Sequence, residues 1–124
     1  MSLNDKINRL IAAKADEAVR LASEIWGFAE LPYCEVRSAA ALQEALEKQG
    51  FTIEKNIAQI PTAFTATFRN GSGKPTIGLL AEYDALYGLS QKAAFPTQEP
   101  VKEGGAGHGC GHNLLGAGCY AAAA

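Results

Sequence analysis

The segment Gly104-Gly-Ala-Gly-His-Gly-Cys-Gly-His-Asn113 sets three metal-binding side chains, His108, Cys110 and His112, at alternate positions. Side chains two residues apart point nearly opposite ways on a helix and the same way on an extended backbone. The interleaved glycines oppose helix. An extended or looped backbone is therefore expected, on which two or three of these side chains converge. Thiolate and imidazole are preferred ligands of zinc and related ions. A catalytic zinc takes about three protein ligands, so Cys110 and His112 need help. Glu82 and Asp84, two residues apart where an apolar run ends, are the candidates, as ligands or as partners that orient a histidine.

Other chemistry has to be weighed against metal binding. A nucleophilic or redox-active Cys–His pair uses the same residue types, although the chain has no C-x-x-C pair to favour redox work. A cysteine between glycines also packs as a small hydrophobe. The glycine-rich run lacks the Lys-Ser/Thr ending of a phosphate loop. Glu82 and Asp84 also read as plain exposed charges after a strand. Cys34 and Cys119 are expected to be packing residues and Trp26 and Phe28 core, while Tyr83 and Tyr87 are candidates to line a pocket.

The elements that must position these residues follow from periodicity. Ile7, Leu10, Ile11, Ala18, Leu21, Ala22 and Ile25 recur at three- and four-residue steps, which predicts a helix from about Asn4 to Phe28. Asn4 is the expected N-cap, and Leu31-Pro32 bars any continuation. A second helix is predicted from Val36 to Gln49, with Ala39, Leu42 and Leu46 as its stripe. In it Glu44 and Lys48 pair one turn apart, and Gly50 ends it. The period then changes. Phe51-Thr-Ile53 starts a strand, and Ala63 to Arg69 alternates, with Phe64, Ala66 and Phe68 on one face. Asn70-Gly-Ser-Gly73 is a turn. Pro75 to Ala81 reads as a buried central strand ending in Glu82-Tyr83-Asp84. Residues 85 to 107 show no periodicity, and so long a stretch is expected to be functional or mobile. A small, Ala-rich helix begins near Asn113. The order predicts an α/β fold in which helices layer a sheet. Ligands of such sheets bind at the carboxyl ends of strands, where Glu82 and Asp84 fall.

Composition narrows the function classes. The 124 residues are 48% hydrophobic and 19% charged with a net charge of −2, the balance of one globular domain. No basic run points to nucleic acid or an anionic membrane, no apolar stretch is long enough to span a bilayer, and the N-terminus lacks the apolar core of a signal peptide. Three cysteines form no disulfide framework. A cytoplasmic setting is expected.

The paired motifs Ala81-Glu-Tyr-Asp-Ala-Leu86 and Gly107-His-Gly-Cys-Gly-His-Asn-Leu-Leu-Gly116 resemble the N-terminal part of the dinuclear metal amidohydrolases, the branch of hippurate hydrolase and the auxin–amino acid hydrolases. Ile60-Pro-Thr-Ala-Phe64, Gly73-Lys-Pro75 and Gly88-Leu-Ser-Gln91 extend the resemblance, which spans the chain from the first helix to Gly118. It implies that Cys110 and His112 are metal ligands, that His108 is not, and that Asp84 supports the catalytic metal site. Related peptidases carry a metal-binding histidine at the position of Glu82, and the resemblance gives Glu82 itself no ligand role. The implied fold is the layered helix–sheet–helix catalytic domain of a zinc-exopeptidase-like hydrolase, with residues 1–124 as its N-terminal portion. The implied reaction is hydrolysis of an amide bond to an amino acid, in p-aminobenzoyl-glutamate or a related N-acyl amino acid or dipeptide. Two divalent ions, manganese or zinc, are implied, as is a complete enzyme that forms a homodimer or pairs with a homologous subunit. The family's glutamate base and further ligands have no counterpart in these residues, so the chain by itself is expected to be inactive. The rival expectations are a self-contained metal-binding or metal-sensing module, and a metal-free interaction domain that associates through an open sheet edge.

Overall fold

A computed structural model describes residues 1–124 as three helices and one antiparallel ribbon: α1 (Leu3–Phe28), α2 (Val36–Lys48), β1 (Thr52–Lys55), β2 (Phe64–Thr67) and α3 (His112–Ala123). The mixed α/β character is as expected. The N-cap of α1 falls two residues earlier than expected. Ser2 takes the N-cap position, its hydroxyl accepting from the Asp5 N–H while the Asp5 carboxylate accepts from the Ser2 N–H, a reciprocal capping box. Asn4 lies inside the first turn. The helix ends at Phe28, where Ala29 turns left-handed, before Pro32 has any part in it.

Both other helices run back along the C-terminal half of α1. Lys14 bonds Gln49 at the end of α2, and Arg37 at its start donates to the Phe28 carbonyl. On α3, Asn113 donates to the Ala22 carbonyl at 3.1 Å and the Tyr120 hydroxyl to Glu17 at 2.6 Å. Leu21, Ala22 and Ile25 of α1, Leu42, Ala45 and Leu46 of α2, and Ala117 and Tyr120 of α3 form the core. The apolar stripe of α1 continues through Ile7, Leu10 and Ile11, but these are exposed because α2 and α3 stop short of them. Trp26, expected in the core, is instead 40% exposed. Phe28 is half-buried and carries the Arg37 guanidinium 4.6 Å over its ring. The Glu44–Lys48 pair forms at 2.7 Å, and Gly50 takes the positive φ of a residue beyond a helix end.

Strands β1 and β2 pair from Thr52 with Thr67 to Lys55 with Phe64. Phe64 and Ala66 lie against the helical core as the alternation predicts, whereas Phe68 falls beyond the strand and meets Phe51 at the rim. The expected central strand does not form. Residues 75–81 join no sheet, Ile77 is 80% and Leu80 94% exposed, and the segment's one tie is the Cys119 thiol donating to the Leu80 carbonyl. An apolar run of this kind is stable as a central strand only with neighbours at both edges, and the two-stranded ribbon supplies none.

The corner between α1 and α2 depends on Glu30. Its Oε1 accepts from the Arg37 N–H at 3.0 Å and the Arg37 Nε at 3.1 Å; its Oε2 accepts from the Ser38 N–H at 2.9 Å and hydroxyl at 2.8 Å. It thereby satisfies the free N–H groups at the start of α2, since Glu35 at the N-cap makes no side-chain cap bond. Burial alone would raise the Glu30 pKa, but these four hydrogen bonds outweigh it and hold the carboxyl below its usual value of 4.5. A group with a depressed folded pKa contributes stability above its unfolded pKa and loses it as pH falls through the folded value. Glu30→Gln is expected to cost about 2 kcal/mol at pH 7. In urea unfolding followed by circular dichroism, its difference from wild type should vanish as pH falls through and below the ordinary carboxylate range.

Candidate metal centre

Two chain segments meet at the site, and one backbone bridge joins them. Leu86 and Gly107 exchange N–H···O hydrogen bonds of 3.0 Å in an isolated antiparallel bridge. Residues 85 to 107 are thus a closed excursion rather than a free loop. Within it the Ser90 N–H donates to the Gly105 carbonyl at 3.0 Å and the Lys92 N–H to the Glu99 carbonyl at 2.8 Å, and the Gln91 side chain bonds Thr97 and Glu99. The close approach requires glycine at 107, where a Cβ would stand 2.0 Å from the Leu89 carbonyl oxygen. A further bond, from the Ala85 N–H to the Glu30 carbonyl at 2.7 Å, fixes the strand-like segment 82–86 to the α1–α2 corner.

Beyond the bridge the His-Cys-His run does not stay extended. It turns at Gly109-Cys110, Gly111 adopts φ +77° and caps α3, and His112 is the first helical residue. The three side chains fan apart instead of converging. His108 reaches α1, with Nε2 3.0 Å from the Ile25 carbonyl. Burial lowers its pKa, so the ring is neutral, its proton on Nε2 donated to that carbonyl and its Nδ1 buried without a partner. The Cys110 thiol faces solvent. His112 turns toward the other segment.

There its ring lies between two carboxylates, Nδ1 2.8 Å from Asp84 Oδ1 and Nε2 3.0 Å from Glu82 Oε2. One ligand atom from each of Glu82, Asp84 and His112 lies within 4.8 Å of the others. The structure therefore brings Asp84 and His112 together, leaves Cys110 outside the group and adds Glu82. Glu82 is set by its register: it stands two residues before Asp84 on the same extended stretch, so both reach one imidazole. A ring with an acceptor at each nitrogen either carries two protons, or holds one on Nδ1 for Asp84 and offers Nε2 to a cation between it and Glu82. The second state is the carboxylate–histidine–metal arrangement, and its nitrogen and oxygen donors suit zinc or manganese. The residues fit a divalent ion.

The segment carrying Glu82 and Asp84 also walls a cleft of about 320 Å³ between the β2 end and the Pro32–Glu35 turn. Tyr83 lines it, its hydroxyl donating to the Thr62 carbonyl. Burial, with Glu35 adding to it, pushes the Tyr83 phenol up to about 12. Tyr87 points outward, Cys34 is exposed, and all three cysteines are free thiols.

No family model matches the chain. Individual proteins do. The chain is 48% identical over 117 residues to a subunit of the p-aminobenzoyl-glutamate hydrolase of Escherichia coli, covering 94% of this chain and 24% of that protein. It is 27% identical over 113 residues to thermostable carboxypeptidases 1 and 2 of Saccharolobus solfataricus, covering 91% of this chain and 28% of each. The chain is thus related to a hydrolase subunit and to carboxypeptidases, and spans about a quarter of the length of these relatives.

Because the Leu86–Gly107 bridge is what sets Asp84 against His112, Gly107→Ala is expected to destabilise the protein by about 1–3 kcal/mol. It should also free the His112 ring. Loss of its two carboxylate contacts should be read as a change in the His112 imidazole nitrogen shifts by NMR.

Proposed function

We propose that residues 1–124 form the N-terminal part of the catalytic domain of a metal-dependent amidohydrolase, a layered zinc-exopeptidase-like domain, and supply one wall of its metal centre. The observation that carries this reading is the His112 ring set between Glu82 and Asp84. Similarity to the p-aminobenzoyl-glutamate hydrolase subunit over 94% of the chain supports the same reaction class. The substrate is an amide joining an acyl group to an amino acid, p-aminobenzoyl-glutamate or a close analogue.

In this reading Asp84 accepts the Nδ1 proton of His112, which fixes the ring's orientation and raises the basicity of Nε2. Nε2 and the Glu82 carboxylate would hold the ion, and the Cys110 thiol, which stands outside this group in solvent, would have to swing in from its turn to join them. A thiolate favours zinc, and the carboxylate accommodates manganese. Divalent ions bound there, two in the complete centre by this reading, would supply polarisation of the amide carbonyl and a more acidic bound water. Because the chain spans 24% of the hydrolase subunit's length, the general base is assigned to none of these residues, and turnover belongs to the longer protein. That relative is itself one subunit of its enzyme, which supports pairing with a second subunit or a second copy. No helix here is long and apolar enough to cross a membrane.

Equilibrium dialysis of the 124-residue chain against zinc tests the reading. Wild type should bind at neutral pH, His112→Ala should abolish binding, and Asp84→Asn should weaken it about 10–100-fold, as loss of an orienting partner does. Glu82→Gln and Cys110→Ser should each weaken it as well. Binding that is unchanged in His112→Ala overturns the site. Hydrolysis of p-aminobenzoyl-glutamate by the 124-residue chain alone would contradict the placement of the base elsewhere.

A further inference from the structure

The chain has five asparagines, Asn4, Asn8, Asn56, Asn70 and Asn113. An asparagine side chain is open to attack by the backbone nitrogen of the next residue when that N–H is unbonded and the chain can bend to bring the two together. Four of the five are held against this. The Asp5 N–H donates to the Ser2 hydroxyl at 3.2 Å, the Ile57 N–H to the Ala63 carbonyl at 3.3 Å and the Leu114 N–H to the Gly111 carbonyl at 2.9 Å. Arg9 follows Asn8 inside α1, where N–H groups are bonded one turn back.

Asn70 has none of these restraints. It precedes Gly71 in the turn that leaves β2, and every residue from Thr67 to Leu80 is exposed. No backbone group from Arg69 to Pro75 makes a hydrogen bond within the chain. Gly71 has a φ of +76°, and a Cβ built on it meets nothing within 4 Å. A glycine nitrogen has no side chain beside it to obstruct the attack, and its backbone rotates with little penalty.

We propose that Asn70 is a site of spontaneous modification, at which its side-chain amide is converted through a cyclic imide to aspartate and isoaspartate. The Gly71 nitrogen loses its proton to solvent base and attacks Asn70 Cγ. The bond between that nitrogen and Cγ forms, the bond from Cγ to the side-chain nitrogen breaks, and the side-chain nitrogen takes a proton from water and leaves as ammonia. A second water then opens the imide. Opening at Cγ restores the original backbone and leaves aspartate. Opening at the main-chain carbonyl leaves isoaspartate, whose backbone runs through Cβ and Cγ and is one methylene longer. Either product takes the net charge from −2 to −3. The change falls on the tether between β2 and the run that leads to Glu82 and Asp84. Asn70 is not among the residues grouped around His112, so this chemistry does not depend on the hydrolase reading.

The test is incubation of the folded 124-residue chain at mildly alkaline pH, followed by peptide mapping with mass spectrometry. A synthetic peptide with the sequence of residues 66–75 is incubated alongside as a clock. The peptide fragment that contains Asn70 should gain one dalton and split into aspartate and isoaspartate forms, at a rate close to that of the synthetic peptide. The rate should rise with pH, as loss of the Gly71 proton requires, and the other four asparagines should remain unchanged over the same time. Gly71→Ala should slow the conversion severalfold. No gain of mass at Asn70 while the synthetic peptide converts, an earlier gain at any other asparagine, or aspartate without isoaspartate would overturn the proposal. Comparison of wild type with the synthetic peptide keeps the test valid if the variant fails to fold.

Discussion

Glu30 is the residue on which the geometry of this protein most depends. Its carboxylate gathers the first N–H groups of α2, which fixes the angle between the two long helices. Its own carbonyl oxygen holds the Ala85 N–H. One residue thus ties the α1–α2 corner to the segment that carries Glu82 and Asp84. Without that tie the segment would be secured mainly by the Leu86–Gly107 bridge, by Tyr83 and by the Cys119 contact with Leu80. The core beneath is small, so such polar ties set position while the apolar residues supply cohesion.

The site is a meeting of two short segments distant in sequence. Asp84 and His112 are 28 residues apart, and neither belongs to the ribbon. Their juxtaposition is produced by the bridge at Leu86–Gly107 and by His108, whose Nε2–H anchors the turn before α3 to the Ile25 carbonyl. His108 therefore has a structural task in the turn that carries Cys110 and His112, and the fanning of the three side chains is what permits it. The ring of His112 then faces a carboxylate at each nitrogen.

Much of this is legible in the sequence, and the departures have physical causes. Helices α1 and α2 follow from period, α3 from its alanine-rich composition, and the two strands from alternation, because each of these patterns refers to a local backbone state. The α1 cap falls at Ser2 rather than Asn4: both are capping types, but Ser2 has an acidic partner, Asp5, at the third position. The run 75–81 carries the composition of a central strand, but composition does not name the neighbours a strand needs. Convergence of His108, Cys110 and His112 requires an extended backbone; Gly111 instead turns left-handed and begins a helix. Glu82 is visible as a charge at a strand end, and its place beside Nε2 depends on the non-local bridge, which periodicity does not report.

X-ray absorption at the zinc edge of the metal-loaded chain reads the centre itself. The expected inner shell contains one histidine imidazole together with carboxylate oxygen, from His112 and Glu82. A shell with no imidazole contribution, or zinc held only as its aquo ion, would contradict a metal centre built on His112.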